Sequence, residues 1–464
     1  MTAQTIAPMM QRKMPLLVVA ALVVLSLAML ITPRPAHAST TFTVNTPYDT
    51  KDADASDNLC DVATFLPGKQ CTLRAAIEQA NATAGADAIR FNIPDSFGTG
   101  VKTIHVGAPS PGNGTLPKID EAVTIDGYTQ HGSSANTLAK GTNAKPMIAL
   151  DGSAISGGSV GLSVYAPDVV IRGLVVNGFS WGIGAAGNAS NTRIEGNFVG
   201  TDPSGTKALG NTYDGIYITN KPTNVSVGGS SPAARNLVSG NGGSGISVAA
   251  DNNKVSGNLI GTQKDGKSPL GNDEDGVVIY SNQYQSASGN TVGRADPAYA
   301  NTIAFNGRMG VDIYYGDKGS QAAQGNSVLS NSIFSNGLLG IDLGFNGPTP
   351  NDSGDADSGP NHRQNYPVLS SAKKGAGKTT IKGKLNSTPN KTYRLQFFSN
   401  PSGTDEGKKL LFSKSVTTDG SGNASFTFAT TKKVNLEQNI TDTATKGSTG
   451  DTSEFSAPRK VVAS

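Results

Sequence analysis

Asp312 and Asp342 are the residues whose type and spacing point most directly to chemistry. Each stands third in a four-residue pattern of Gly, an aliphatic, any residue, then an aliphatic or small residue, which recurs at 161–164, 182–185, 215–218, 245–248, 276–279, 310–313 and 340–343. Successive copies are 21, 33, 30, 31, 34 and 30 residues apart. Side chains alternate along a strand, so the two aliphatics face one way and the third residue faces the other. If the copies stack, the third residues form one column: Ser163, Gly184, Tyr217, Ser247, Val278, Asp312 and Asp342. Its two acids would then lie about 4.8 Å apart on neighbouring strands, close to the roughly 5 to 5.5 Å of a retaining glycosidase pair. Like charges at that distance raise one pKa or invite a cation. Three readings stay open for the pair: a solvated acidic edge, a site for a cation or a sugar, and acid–base catalysis, with Tyr217 and Ser247 extending the ligand contact.

A second acidic group is Asp352, Asp355 and Asp357, alternating with Ser and Gly in a Pro- and Gly-rich stretch. Hard oxygen ligands on such a loop suit Ca2+. The spacing lacks the terminal Glu of an EF-hand, and a bare acidic linker is the competing reading. Arg172 and Arg193, with Glu195 beside the second, could serve a lyase, but no lyase signature accompanies them and structural pairing with acids is the favoured reading. His105, His131 and His362 are too scattered to suggest a metal site or a Ser/His/Asp arrangement.

The elements that must position these residues are short strands. Between copies of the Gly pattern lie two further pieces, such as 253–255 and 258–260, matched by 326–328 and 331–333, so each unit supplies three strands and the whole supplies three sheets. A longer self-similarity, Gly-Asn-Phe-Val-Gly-Thr at 196–201 and Gly-Asn-Leu-Ile-Gly-Thr at 257–262, recurs after 61 residues. Strands this short are stable only when stacked on like neighbours. Asn197, Asn236, Asn258, Asn301 and Asn331 read as stacked corner residues whose amides bond along the axis. Propellers and sandwiches want longer strands. The expected fold is all-β: a right-handed three-sheet parallel β-helix with an N-terminal capping helix and a C-terminal immunoglobulin-like β-sandwich.

The helix is expected over 72–81, where Leu73, Ala76, Ile77 and Ala80 fall at helical spacing. It follows Cys60 and Cys71, which are the only cysteines of the 464-residue chain. In an exported protein an isolated close pair is most simply a disulfide, and metal binding by two thiols alone is the weaker alternative. Cys71-Thr-Leu-Arg-Ala-Ala-Ile77, preceded by Cys60, resembles the C-S-L-R-E-A motif near the N-terminus of many exported bacterial proteins, departing from it at Thr72 and Ala75. That resemblance implies a pectin-lyase-like parallel β-helix and an extracellular place, and it assigns no catalytic residue. Parallel β-helices often act as polysaccharide lyases and glycoside hydrolases, which is analogy of fold alone.

The expected layout is a signal peptide at 1–38, an N-terminal cap with the Cys pair and helix at 39–88, the β-helix at 89–346, an acidic connector at 347–367 and a basic β-sandwich at 368–464. Arg12 and Lys13, an apolar run over 15–31 and a small-x-small ending at Ala38 carry the signal. Retention of that run as an N-terminal anchor is the alternative. No stable membrane span is expected after cleavage, and no lipid or wall-sorting tail. Charged residues make up only 16% of the chain, and they are unevenly placed. The tail from 368 holds 13 Lys and 2 Arg against 7 acids, leaving 39–367 net acidic by 8. A basic tail favours anionic cell-wall material; nucleic acid is not an expected partner, and the oligomeric state is open. Two functions follow. One is a secreted or cell-surface protein that binds extracellular polysaccharide. The other is a polysaccharide lyase or glycoside hydrolase using Tyr217, Asp312 and Asp342.

Overall fold

Strands of two to six residues cannot bury a face or pair their backbones alone, and here each does both by stacking on the next rung. The computed structural model describes residues 39–66, 69–107, 114–155, 157–315 and 323–464, so the expected signal at 1–38 lies outside the described residues. Three all-parallel sheets result. Sheet A has nine strands, from Thr41–Val44 to Ser327–Leu329, and sheet B has eight, from Lys102–His105 to Ser332–Phe334. Sheet C has seven: Val160–Val164, Trp181–Ala186, Ile216–Thr219, Ile246–Ala249, Val277–Ser281, Val311–Tyr315 and Ile341–Leu343. This is a three-sheet parallel β-helix. The two aliphatics of each Gly pattern point inward, and Ile216, Ile246, Val277 and Val311 are fully buried in one continuous core.

Side-chain amides tie the rungs together. Asn197 Nδ2 donates to Asn236 Oδ1, Asn236 to Asn258, Asn258 to Asn301 and Asn301 to Asn331, at 2.9 to 3.3 Å. Each acceptor oxygen also takes the backbone N–H of the preceding asparagine. A second ladder runs through Asn211, Asn241, Asn272, Asn306 and Asn336. A third links Asn253, Asn290 and Asn326. All but Asn336 are at most 2% exposed, so any bond lost there leaves a buried group unsatisfied.

Helix α1, Leu73–Ala82, begins at Thr72, whose hydroxyl accepts from Ala75 N. Leu73, Ala76, Ile77 and Ala80 are buried, and the Cys60–Cys71 disulfide is formed. Arg74 is buried too and forks onto Asp49, with Nε to Oδ1 at 2.9 Å and Nη2 to Oδ2 at 2.8 Å. Ala75, where the motif has an acid, is fully buried, and a carboxylate there would be desolvated without a partner. One boundary differs from expectation. Thr41–Val44 pairs in parallel with Asp87–Phe91, so sheet A starts ahead of the helix rather than near 89. The cap is therefore an insertion between the first two strands of that sheet. Its cysteine loop hid a four-residue strand that has no repeat partner before it.

The C-terminal domain is a mixed seven-stranded sheet bent into a sandwich-like, nearly closed form, with its own core of Ile381, Leu385, Tyr393, Leu395, Phe397 and Ile440. It seals the open end of the solenoid. Asn336, last in the second ladder, donates from Nδ2 to Glu406 Oε1 at 2.9 Å. Asn326, last in the third, donates its N–H to Asn361 of the connector. Ser330 N donates to Gln396, Gly325 N to Asp451 and Leu343 N to Glu454. Ile333 and Gly407 exchange both backbone hydrogen bonds at 3.0 Å, adding one antiparallel bridge to sheet B.

Asn258→Ala removes the acceptor of two buried N–H groups of Asn236 and the side-chain donor to the Val227 carbonyl, while Asn301 Oδ1 keeps the backbone N–H of residue 258, at about 1 to 3 kcal/mol per unsatisfied group before relaxation. Urea unfolding is expected to show a loss on the order of 3 kcal/mol, against less than about 0.5 kcal/mol for the exposed Asn435→Ala. Removing 368–464 bares every sheet edge at one end. Light scattering is expected to show self-association of the truncated chain at concentrations where the intact chain is monodisperse.

Candidate functional site

The alternation that buries one face of each Gly-pattern strand lines up the other. Backbone register places Ser163 beside Gly184, Gly184 beside Tyr217, Tyr217 beside Ser247, Ser247 beside Val278, Val278 beside Asp312 and Asp312 beside Asp342. The column is a groove floor rather than a solvated edge: Ser247 is 4% exposed, and Asp312 and Asp342 have no exposed surface.

Two further sets of residues raise its walls. Two positions beyond the column stand Tyr280 and Tyr314; just before the Gly residues stand Trp181, Asp214 and Asp275, with Tyr213, Glu274 and Arg308 at the same corner. They enclose a cleft of about 320 Å³ over Asp312, and an adjoining one of about 250 Å³ beside Tyr217 shares Asp214, Ser247 and Tyr280 with it. Aromatic rings flank both ends. Trp181 stacks on Tyr213 at 4.7 Å and meets Tyr217 edge-on at 6.3 Å; Tyr280 stacks on Tyr314 at 5.8 Å, with Phe345 a further 5.8 Å along. Tyr217 lies flat only because position 184 is glycine. A Cβ there would stand 2.3 Å from the ring.

The acids differ in what they do. Asp214 accepts from Ser244 N and Asp275 from Met309 N, each at 2.9 Å, bonding one rung to the next. Asp342 accepts from Phe345 N and Gly347 N, both at 3.1 Å, and so holds the turn that leaves the solenoid. Among the described residues neither oxygen of Asp312 has a hydrogen-bond partner beyond the adjacent Ile313 N–H, whose pull on the charged form is weak beside burial. Burial first, then the charges of Asp275 and Asp342, push its carboxyl up to about 8, with Arg308 opposing. Burial likewise pushes Asp214 up to about 6 and raises Asp275 and Asp342. Arg308 reaches Glu274 at 3.7 Å and packs over Phe345 at 4.1 Å, spanning the rungs on either side of Asp312. The floor therefore holds a carboxylic acid that keeps its proton at neutral pH, ringed by carboxylates and tyrosines. Such a group can donate a proton to a bound oxygen atom.

Sequence reasoning found the column but missed Asp214, Asp275, Arg308 and the Tyr280 and Tyr314 wall. The signal was present. Asp214-Gly and Asp275-Gly are themselves 61 residues apart, so they belong to the longer repeat.

The other sequence candidates lie elsewhere. Asp352, Asp355 and Asp357 do converge, each with a carboxylate oxygen within 4.8 Å of the others. They offer three of the six to eight oxygens that Ca2+ takes. Asp352 already accepts from Ala356 N, and Asp355 from Asn365 N and Ser387 Oγ, while Asp357 Oδ1 is buried without a partner. Arg172 is committed to Asp126 at 2.6 Å on sheet A. His105 pairs with Asp151 on sheet B and His362 with Asp451, so neither lies in the cleft.

Asp312 gives the stability a pH dependence of definite sign. Its ordinary pKa is near 4 and its folded one about 8, so between those values the folded chain keeps a proton that the unfolded chain has released. Stability then falls as pH rises, by up to about 1.4 kcal/mol per pH unit from this group, and levels off above pH 8. Asp312→Asn is expected to match the parent's melting temperature near pH 4 and exceed it at pH 8 to 9 by several degrees, as read by calorimetry.

A scan against protein-family models gives no match to this sequence, and a search of curated proteins likewise finds none that matches it.

Proposed function

We propose that this is an exported protein whose sheet C cleft binds an extracellular polysaccharide and hydrolyses glycosidic bonds in it, with Asp312 as the proton donor. The observation that carries the reading is the Asp312 carboxyl, buried, with no side-chain partner among the described residues and proton-bearing at neutral pH, on the floor of an aromatic-walled groove. A general acid needs a pKa near the working pH, and a neighbouring carboxylate can act as base or nucleophile. Asp275 takes that second part, while Asp342 holds the turn and tunes Asp312 through its charge. Trp181, Tyr217, Tyr280 and Tyr314 supply flat apolar platforms for sugar faces, and Ser247 a hydroxyl between them. Asp312 has no exposed surface, so a substrate must displace part of the cleft lining, which includes Arg308, to reach it.

Export is supported by the C-S-L-R-E-A-like segment, the leader-like sequence over 1–38 and the disulfide, which persists in oxidising compartments. No described helix is long and apolar enough to cross a membrane. A binding scaffold without turnover is the second reading, favoured by the backbone bonds that occupy Asp214, Asp275 and Asp342.

One assay separates the two. The mature chain is incubated with a panel of neutral and acidic polysaccharides, with and without Ca2+, and new reducing ends, unsaturated product and pull-down of intact polymer are read together. Reducing ends that fall at least 100-fold in Asp312→Asn, with pull-down kept, are expected; Tyr217→Ala is expected to lose pull-down about 10-fold. Pull-down with no product from any polymer, unchanged in Asp312→Asn, establishes the scaffold instead.

A further inference from the structure

The C-terminal domain carries 15 basic residues and 7 acids, and the structure shows where the acids go. Glu406, Asp442, Asp451 and Glu454 are at most 6% exposed. Three of them receive hydrogen bonds from the solenoid's last rungs, and Asp442 lies inside the sandwich beside Phe397. Only Asp405, Asp419 and Glu437 remain exposed, against thirteen exposed Lys and Arg.

The surplus has a direction. Thr392–Asn400 and Asn439–Lys446 present Gln396, Phe398 and Thr443 to the solenoid. Val368–Gly375 and Lys378–Asn386 lie across the shared core, so their outer side faces away from it. On Lys378–Asn386, Thr379, Ile381 and Leu385 are buried while Lys378, Lys382 and Lys384 are exposed. Lys373 joins them from the neighbouring strand, opposite Thr380. Ser425 and Thr427 complete the face from the other side, opposite Lys384 and Lys382. It contains no acid and no aromatic ring.

We propose that this outer face docks the protein onto a linear polymer bearing one phosphodiester charge per repeat. Lysines two residues apart on a strand are about 6.7 Å apart, a separation suited to successive charges along an extended chain. Ammonium groups act as compact point charges that bind phosphate without requiring the paired geometry of an arginine fork. The face has no ring on which a sugar could stack, so charge is what it offers a polymer. Burial of four acids elsewhere in the domain leaves it unopposed.

Long-chain inorganic polyphosphate is the probe, with polygalacturonate as the carboxylate polymer and dextran as the neutral one, and binding to the intact mature chain is followed by titration calorimetry at 50 and 300 mM salt. Polyphosphate is expected to bind at 50 mM and to weaken at least 10-fold at 300 mM as its charges are screened. Lys382→Glu with Lys384→Glu is expected to weaken it at least 10-fold without changing the melting temperature. Lys409→Glu with Lys414→Glu, the same change in charge on another strand, is expected to cost less than about 3-fold. The proposal falls if polyphosphate does not bind at 50 mM, if both pairs weaken it equally, or if polygalacturonate binds more tightly. Because the readout is binding away from the cleft, it is independent of any turnover by Asp312.

Discussion

A stack of buried amides has a problem at its end. Each asparagine of a ladder passes its oxygen to the rung before and its NH2 to the rung after, so the last one donates into nothing unless another element receives it. In water this would be no difficulty. Inside a solenoid end the open rung also exposes three sheet edges, and both needs are met by the docked domain together with the connector that leads into it. Glu406 receives Asn336, Asn361 receives the backbone of Asn326, and Gly407 pairs with Ile333. Acceptors are what the terminus requires, and carboxylates are the strongest acceptors in the side-chain inventory. This explains why a domain so rich in lysine turns its acids inward.

The cleft depends on the same stack in another way. Repetition gives every rung the same aliphatic interior, and function can enter only where the outward residues break the repeat. Val278 and Asp312 are neighbours in one column, close in size and opposite in polarity. A carboxyl on such a floor, without a side-chain hydrogen bond, costs stability once ionised. The long core and its ladders hold that residue in place, as surrounding structure does for other destabilised groups at functional sites.

What was legible in the sequence was whatever the repeat made periodic. The Gly pattern set the column from Ser163 to Asp342, and the spaced asparagines set the first ladder, because each position is reiterated at every rung and its physical demand is reiterated with it. Thr41–Val44 was not legible, since a single short strand before a disulfide loop has no copy to be recognised by. Docking of the C-terminal domain was equally hidden. Its bonds join residues 66 to 126 positions apart, between a periodic element and one with no repeat. The acidic stretch over 347–360 looked like a free connector by composition, but Asn365 and Asn386 bind its backbone and fix it against the sandwich. The asparagines that anchor it lie outside the acidic stretch.

On the proposed reading, charge separation along the chain decides which polymer would suit which end. Around Asp312 stand Asp214, Glu274, Asp275 and Asp342, and the one cation lining that cleft, Arg308, is already engaged by Glu274 and by the face of Phe345. A polyanion entering there would meet carboxylates with no free counter-charge. It would also push Asp312 still further from ionisation, since like charge and burial act in the same direction. A neutral chain meets no such barrier and gains the tyrosine and tryptophan faces. The outer lysine face offers the reverse, charge without rings. At physiological salt, interactions between exposed charges decay over about 8 Å, so each end acts on what touches it and little on what the other end holds. On the proposed reading, the chain would rest on one polymer while its cleft accepts another, and the acids buried at the junction are withheld from the lysine face because the solenoid's last rungs use them as acceptors.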